Sequence, residues 1–143
     1  MRRIVPVKLR GQCACSMPRA SSECEMGNLV KEFAKPGMPQ ILAGDYNTSL
    51  SDKPFYNSMI SSLDAEDGPV TGIEGFTDDH LNNDMESWFD PKDRKIIDFM
   101  LYRPNGVQPK LITRTIRQYC HQWAKDHCDL SDHYALLMDL IWE

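Results

Sequence analysis

Apolar residues in the first half of the chain occur in two different patterns, a helical spacing and a short continuous run. Between residues 25 and 34 they recur at spacings of three and one, which predicts one face of a short helix that ends at Lys35-Pro36-Gly37. The apolar run over 41–43 predicts a buried strand that ends at Gly44. A second helix is predicted over residues 52–63, with Asp52 as its cap. The first unit is therefore helix, strand, helix.

The second half of the chain is richer in strand patterns. Residues 64–83 are acidic and interrupted by glycine, which predicts a long surface loop with one short strand near 75–77 and with His80 at its surface. Three strand candidates follow, at 95–102, 110–118 and 134–141. These strands predict that the chain ends in an antiparallel sheet layer.

The first 24 residues give the weakest pattern. Residues 4–9 can form an edge strand in spite of Pro6, whereas residues 11–22 are small and polar and predict a loop. We therefore divide the chain into a poorly defined segment, 1–24, and one domain, 25–143.

Composition narrows the class of protein only a little. The formal net charge of -5 over 143 residues gives no overall basic field for a polyanion, although a local basic patch can suffice. No apolar run is long enough to span a bilayer. The 5 cysteines form no regular disulfide framework, which favours a reducing compartment and predicts a cytoplasmic location, with peripheral membrane association or the nucleus as alternatives.

Three short segments place a carboxylate at or beside an apolar strand: Asp45, Asp98 and Asp132. An aspartate after a strand usually starts a turn or caps a helix, so each one alone has an ordinary structural explanation. Asp98 differs because a carboxylate within an apolar strand needs a hydrogen-bonding or charged partner. His133 is the obvious candidate, and a carboxylate bonded to one imidazole nitrogen gives the arrangement of a general base.

The remaining groups indicate phosphoester hydrolysis. Asn47 offers an amide that can donate to a phosphate oxygen without adding negative charge. Oxygen ligands from aspartate suit Mg²⁺, with Mn²⁺ or Ca²⁺ as alternatives. A metal that neutralises the phosphate, a base that activates water and a neutral donor together fit a metal-dependent phosphodiesterase.

Three motifs resemble the endonuclease/exonuclease/phosphatase superfamily, whose members include deoxyribonuclease I, abasic-site endonucleases and neutral sphingomyelinases. Gly-Asp-Tyr-Asn at 44–47 is similar to its Gly-Asp-aromatic-Asn signature, Ile-Asp-Phe at 97–99 to its Ile-Asp-Tyr strand, and Ser-Asp-His at 131–133 to its terminal motif. The motifs occur in the family's order. The resemblance implies an α/β (α+β) fold, a four-layer sandwich of two mixed β-sheets flanked by helices, of which this chain covers about the C-terminal half.

Residue roles follow from the same resemblance. It implies that Asp45 orients or deprotonates the attacking water, that Asn47 binds the scissile phosphate, and that His133 contacts this phosphate or acts as base. It also implies that Asp98 orients His133 and that Asp132 contributes to metal binding, for which Asp45 is a second candidate.

The family's amino-terminal half supplies a metal-binding Glu and a further His, and the residues before the first predicted helix contain no His. We therefore expect the 143-residue chain by itself to be inactive or nearly so. Half of a sheet-on-sheet core leaves an apolar face exposed, which makes a homodimer or association with a missing amino-terminal half plausible.

Three functions stay open at this point. A sphingomyelinase-like phospholipid phosphodiesterase is favoured by the resemblance of the Asp98 and His133 strands to neutral sphingomyelinases, and the pair Trp88-Phe89 can touch a lipid or a base. A nuclease or DNA-repair phosphodiesterase would use a local basic patch. Its candidate residues are Arg94, Lys95, Arg103, Lys110, Arg114 and Arg117. The third function is a non-catalytic domain that binds a partner.

Overall fold

A computed structural model describes residues 5–8, 19–68, 70–86, 88–117 and 120–142, and the side chains over 25–68, 70–86, 88–117 and 122–142. Within these residues lie two α-helices, α1 (Arg19–Glu32) and α2 (Lys53–Leu63), and a short 3₁₀ helix, Asp84–Glu86. The strands are β1 (Val5–Lys8), β2 (Gln40–Asp45), β3 (Val70–Thr71), β4 (Asp78–Asp79), β5 (Arg94–Lys95), β6 (Asp98–Arg103), β7 (Leu111–Arg117), β8 (Cys120–Ala124), β9 (His127–Asp129) and β10 (Ala135–Ile141).

Two three-stranded mixed sheets form the frame. In the first, β2 lies between β1, to which it is parallel, and β6, to which it is antiparallel. In the second, β7 lies between the antiparallel β10 and the parallel β3. The sheets meet where β10 contacts β6. The predicted mixed sheets with flanking helices are confirmed, although the second layer also contains a parallel pair and so is not purely antiparallel.

The main core lies between the helices and the first sheet. Its fully buried members come from α1, α2, β2 and β6, and they include Val30, Leu42, Met59, Leu63, Phe99 and Leu101. Gly27 allows the helices to approach, because a Cβ at this position would clash with the carbonyl oxygen of Ser62. The apolar face predicted over 25–34 is only partly buried, since Leu29 of α1 is 40% exposed and Phe33, just after the helix, is 58% exposed.

Several boundaries differ from the sequence prediction. The first helix begins at Arg19, within the stretch 11–22 predicted as loop, and the rest of that stretch lies outside the described residues. β1 occupies an edge of its sheet, which confirms the predicted edge strand over its described part. Strand 95–102 is two strands, β5 and β6, and between them the carbonyls of Ile96 and Ile97 accept hydrogen bonds from the backbone N–H groups of Leu50 and Tyr46. The short strand predicted near 75–77 lies instead at β4.

The segment before β10 is a hairpin made of β8 and β9. Cys128 in β9 is disulfide-bonded, whereas the cysteine pattern predicted reduced thiols. Among the described residues, neither helix has the length and apolar content that crossing a bilayer requires.

Candidate active site

Asp45 and Asn47 lie at the C-terminal end of β2, at one end of the first sheet. Asp45 is the last residue of the strand and lies directly opposite Asp98 of β6. Its Oδ1 accepts a hydrogen bond from the backbone N–H of Asn47 at 2.8 Å, and its Oδ2 accepts one from Asn47 Nδ2 at 3.2 Å. Asn47 has a φ of 50°, a left-handed conformation that asparagine tolerates better than most residues. The turn therefore holds the two side chains together.

The second pair is Asp98 with His133. His133 Nδ1 lies 2.8 Å from Asp98 Oδ2, so the contact predicted from the sequence is present. Nε2 is the ring nitrogen that remains for a substrate. The hydrogen bond to Asp98 is the main reason that the pKa of His133 rises to about 9, and the charges of Asp45 and Asp132 add to this rise. At neutral pH the imidazole is therefore mostly protonated in the metal-free chain.

Asp132 lies in the turn between the hairpin and β10 and is exposed. Ser131 Oγ donates to its Oδ1 at 3.0 Å. Asn83 holds the backbone of this turn in place, because its Nδ2 donates to the carbonyl oxygens of Ser131 at 2.9 Å and of Asp132 at 3.0 Å. The structure thus brings all five predicted residues, Asp45, Asn47, Asp98, Asp132 and His133, to one end of the first sheet.

Negative charge is in excess at this end of the sheet. The pKa of Asp45 is raised, first by partial desolvation and then by the charges of Asp98 and Asp78, although the Asn47 N–H and the charge of His133 oppose the rise. Asp132 adds a further carboxylate beside a single imidazole. A hard divalent cation would offset this repulsion, and the oxygen donors of Asp45 and Asp132 suit Mg²⁺. The residues therefore fit the metal that the sequence resemblance implies.

Residues 77–86, which we call the support loop, form hydrogen bonds with the strands and the turn that carry the site residues. Thr77 Oγ1 accepts from the backbone N–H of Asp98 at 3.2 Å, and the Thr77 carbonyl accepts from Tyr134 N at 2.8 Å. Asp78 forms a backbone bridge with His133. Asp79 is fully buried and forms a bidentate ion pair with Arg94, at 2.7 and 2.9 Å.

Sequence reasoning missed the support loop. Its residues 77–83 were predicted as part of a surface loop, yet Thr77, Asp78, Asp79 and Asn83 are all buried, as is Glu86 just beyond the predicted loop. The prediction that His80 is a surface residue is also wrong, because its side chain is only 11% exposed. Loops are usually polar because they face water, so a polar sequence alone does not reveal that its groups bond one another inside the fold. The sequence signal that could have indicated this loop is its high density of hydrogen-bonding side chains, two Asp, one His and two Asn within seven residues.

Comparison with known proteins identifies the architecture. The structure matches the sphingomyelinase C of Streptomyces griseocarneus with a TM-score of 0.73 and 20% identity, over 96% of this chain and 52% of that one. It matches a beta toxin of Staphylococcus aureus with a TM-score of 0.74 and 20% identity, over 98% and 52%. The F277A, P278A mutant of this toxin, with bound magnesium ions, matches at 0.73 and 18%, over 98% and 52%.

The chain has the deoxyribonuclease I-like fold. No family model matches the sequence. No curated protein matches it either. The chain spans about half the length of the solved structures it matches. The deoxyribonuclease I-like resemblance seen in three short motifs is thus confirmed as a fold.

Proposed function

We propose that this chain carries part of the active site of a metal-dependent phosphodiesterase that acts on a phospholipid, as a sphingomyelinase does. The observation that carries the proposal is the convergence of Asp45, Asn47, Asp98, Asp132 and His133 at one end of a sheet in a fold shared with a sphingomyelinase C. The reaction is attack of water on phosphorus, with cleavage of one P–O ester bond and release of an alcohol and a phosphomonoester.

Asp45 and Asn47 form the water and phosphate side of the proposed site. Asp45 is exposed and its carboxylate is held toward Asn47, so it can orient a water molecule or accept its proton. The Asn47 amide adds no charge, and it can donate to a phosphoryl oxygen when substrate replaces its present contacts.

His133 serves better as a donor than as a base. With a pKa of about 9 in the metal-free chain, its ring carries a proton on Nε2 at neutral pH. Such a ring can donate to a phosphoryl oxygen or to the departing oxygen. Asp98 acts as a positioning residue, because its bond to Nδ1 fixes the orientation of the ring.

Asp45 and Asp132 are the residues that would hold Mg²⁺. When bound there, the ion supplies charge neutralisation for the phosphate. Mn²⁺ or Ca²⁺ are alternatives with the same preference for oxygen ligands. The chain's own residues contribute the orientation of water and the donation to the phosphate described above.

Exposed apolar side chains on the segments that flank the support loop and Asp132 favour a lipid substrate. Trp88 is 70% exposed and Leu130, two residues before Asp132, is 64% exposed. Trp123 in the hairpin is 54% exposed, and it stacks on His127, whose Nδ1 lies 3.5 Å from Asp84 of the support loop. Aromatic rings with one polar atom suit the boundary between water and lipid. These residues would contact the lipid surface that presents the phosphodiester.

The basic residues give little support to the nuclease alternative. Arg94 pairs with Asp79, Lys95 with Asp93 at 2.5 Å, and Arg103 with Asp64 at 2.9 Å. Arg114 is 2% exposed and pairs with Asp67. Of the six candidates, only Lys110 and Arg117 are exposed and form no ion pair with another described residue, and two residues are too few for a phosphate-binding surface.

Location and partners follow from two further observations. A disulfide at Cys128 is typical of an oxidising compartment, so it supports a location other than the predicted cytoplasm. The last strand exposes Leu137 at 44% and Ile141 at 46%, next to Trp142 at 41%. We propose that this apolar edge is covered by a second chain or by the other half of a deoxyribonuclease I-like domain.

The test compares lipid and nucleic acid as substrates. We would measure hydrolysis of sphingomyelin vesicles and of plasmid DNA in Mg²⁺ by the chain alone, and by the chain joined to the half of the Streptomyces griseocarneus enzyme that it does not match. We expect background activity from the chain alone and cleavage of vesicles by the joined protein. The Asp45→Ala and His133→Ala variants of the joined protein should lose at least about 100-fold in kcat/KM. Cleavage of plasmid but not of vesicles would favour the nuclease.

Metal binding separates the enzyme from a non-catalytic domain. If Asp45 and Asp132 hold Mg²⁺, an ion concentration of about 100 times the Kd should stabilise the chain by about 2.7 kcal/mol. The Asp132→Asn variant should lose this gain. An unchanged melting temperature in Mg²⁺ would favour the partner-binding domain.

A further inference from the structure

A second group of metal-ligand atoms lies within the support loop. It consists of Asp78, His80 and Glu86, whose ligand atoms all lie within 4.8 Å of one another. His80 Nε2 is 2.9 Å from Asp78 Oδ1 and 3.3 Å from Glu86 Oε2. Two ligands bound to one ion at about 2.0–2.2 Å, in tetrahedral or octahedral arrangement, lie about 2.9–3.5 Å apart. The two distances from His80 Nε2 therefore already match the spacing of ligands that share an ion.

Hydrogen-bond counting shows that the three residues do not satisfy one another. Asp78 is only 8% exposed, and its buried Oδ1 has no hydrogen-bond partner among the described residues although it lies close to His80. The buried Nδ1 of His80 also has none within that part of the chain. In any protonation state of the ring, at most one Nε2 proton faces the two carboxylates, and it can be given to only one of them. The two buried carboxylates are therefore not both satisfied by His80.

A cation between the three side chains would bond both carboxylates and the Nε2 of His80 at once, which a single proton cannot do. It would neutralise the charges of Asp78 and Glu86, both 8% exposed, and would accept the lone pair of His80 Nε2. The ring is already held in place, because it stacks on Phe89 with centroids 4.9 Å apart. One imidazole nitrogen with two carboxylate oxygens suits a first-row transition metal better than Mg²⁺, which prefers oxygen ligands alone.

We propose that Asp78, His80 and Glu86 form a binding site for a first-row transition-metal dication such as Zn²⁺, separate from the Mg²⁺ ligands Asp45 and Asp132. Three protein ligands leave a further position for water. The ion would join β4 to the short 3₁₀ helix Asp84–Glu86 and so brace the support loop. It would act on the catalytic groups through position, because Asp78 bridges His133 and Asn83 holds the Asp132 turn.

The test measures metal binding without any substrate, so its result is independent of the phosphodiesterase proposal. The 143-residue chain is stripped with EDTA and titrated with Zn²⁺ by calorimetry, beside the variants His80→Gln, Glu86→Gln and Asp78→Asn. His127→Gln is the matched control, because His127 also faces a carboxylate, that of Asp84, but only one. We expect the wild type and His127→Gln to bind one equivalent of Zn²⁺ that each cluster variant loses or binds at least about tenfold more weakly.

Two further measurements keep the test decisive if a variant folds poorly. Co²⁺ bound to the wild type should give a visible absorption spectrum and shift the NMR signals of His80, and excess Mg²⁺ should not displace it. Asp45→Asn should keep the Zn²⁺ equivalent. The proposal fails if the wild type binds no Zn²⁺ more tightly than Mg²⁺, or if His80→Gln and Glu86→Gln both keep the equivalent, since the ion would then be bound elsewhere.

Discussion

The proposed catalytic groups and the support loop lie side by side, yet they are built in opposite ways. Asp45, Asn47 and Asp132 are exposed, and the side-chain hydrogen bonds described above join each of them to a residue no more than two positions away in the sequence. In the support loop Thr77 and Asp79 are fully buried and Asn83 is 1% exposed, and each bonds a residue from a distant part of the chain. Both regions are polar, but only the second is part of the interior.

The difference in burial indicates which region contributes to activity and which to stability. The groups proposed to contact water, substrate and metal are exposed, so replacing them should change the free energy of unfolding little. The buried polar loop fixes where those groups stand, and each of its bonds replaces one to water, so an unmade bond there is costly. We therefore expect mutations in the support loop to change the free energy of unfolding, and mutations of the exposed groups to change mainly activity.

The largest expected effect is at Asp79. Asp79→Asn removes a fully buried charge from its bidentate contact with Arg94 and places an amide N–H against the guanidinium. We expect the free energy of unfolding to fall by about 3 kcal/mol, measured by urea denaturation. Asp93→Asn is the control, because its ion pair with Lys95 is about as short, 2.5 Å, but exposed, and should cost under about 1 kcal/mol. Equal losses in the two variants would contradict the comparison.

Asn83 gives the next effect. Asn83→Ala removes the donor that fixes the Ser131 and Asp132 carbonyls, and we expect a loss of about 2 kcal/mol. The His133 contact should also loosen, so an NMR titration should show its pKa falling from about 9 toward 6.5. The neighbouring Asn82→Ala is the control, since Asn82 is exposed and bonds Asp79 instead. A His133 titration that Asn83→Ala leaves unchanged would show that the loop does not position the turn.

Asp98 should have a smaller and pH-dependent effect. Its carboxylate raises the folded-state pKa of His133 to about 9 from 6.5, so the stabilisation is fully present below pH 6.5 and is lost as pH rises through 9. In EDTA, Asp98→Asn should lower the free energy of unfolding by about 1–2 kcal/mol at pH 6 and by little at pH 10. The exposed Asp139→Asn should show no such dependence. A deficit of equal size at both pH values would rule out this linkage.

The smallest effect on stability is expected at Asp45. Its pKa is raised, so the fold already disfavours the charged form, and Asp45→Asn in EDTA should change the free energy of unfolding by no more than about 0.5 kcal/mol. The same substitution should abolish most turnover in a complete enzyme. A loss of stability above about 2 kcal/mol in urea denaturation would mean that Asp45 belongs with the support loop rather than with the exposed groups.

The strands and helices that frame the site could be predicted from periodicity. The strand at 41–43, the helix to Leu63 and the strands at 110–118 and 134–141 all appear within one or two residues of their predicted ends, over the part of the chain that the structure describes. The Asp98 and His133 contact was also predicted, because a carboxylate at an apolar strand needs a partner. The local pattern of apolar residues was sufficient to predict these elements, and the cost of burying an unpaired carboxylate was sufficient to predict the Asp98–His133 contact.

The sequence by itself thus determined which short segments form strands, which carboxylates end them and which imidazole one of them requires. Only the tertiary structure decided that residues 77–86 turn inward and pair with Arg94, Ser131 and Asp132. These partners lie up to 49 residues away. Hydrophobic periodicity does not predict the burial of a polar loop. That burial depends on hydrogen bonds to residues of other elements, and these bonds form only after the sheets have assembled.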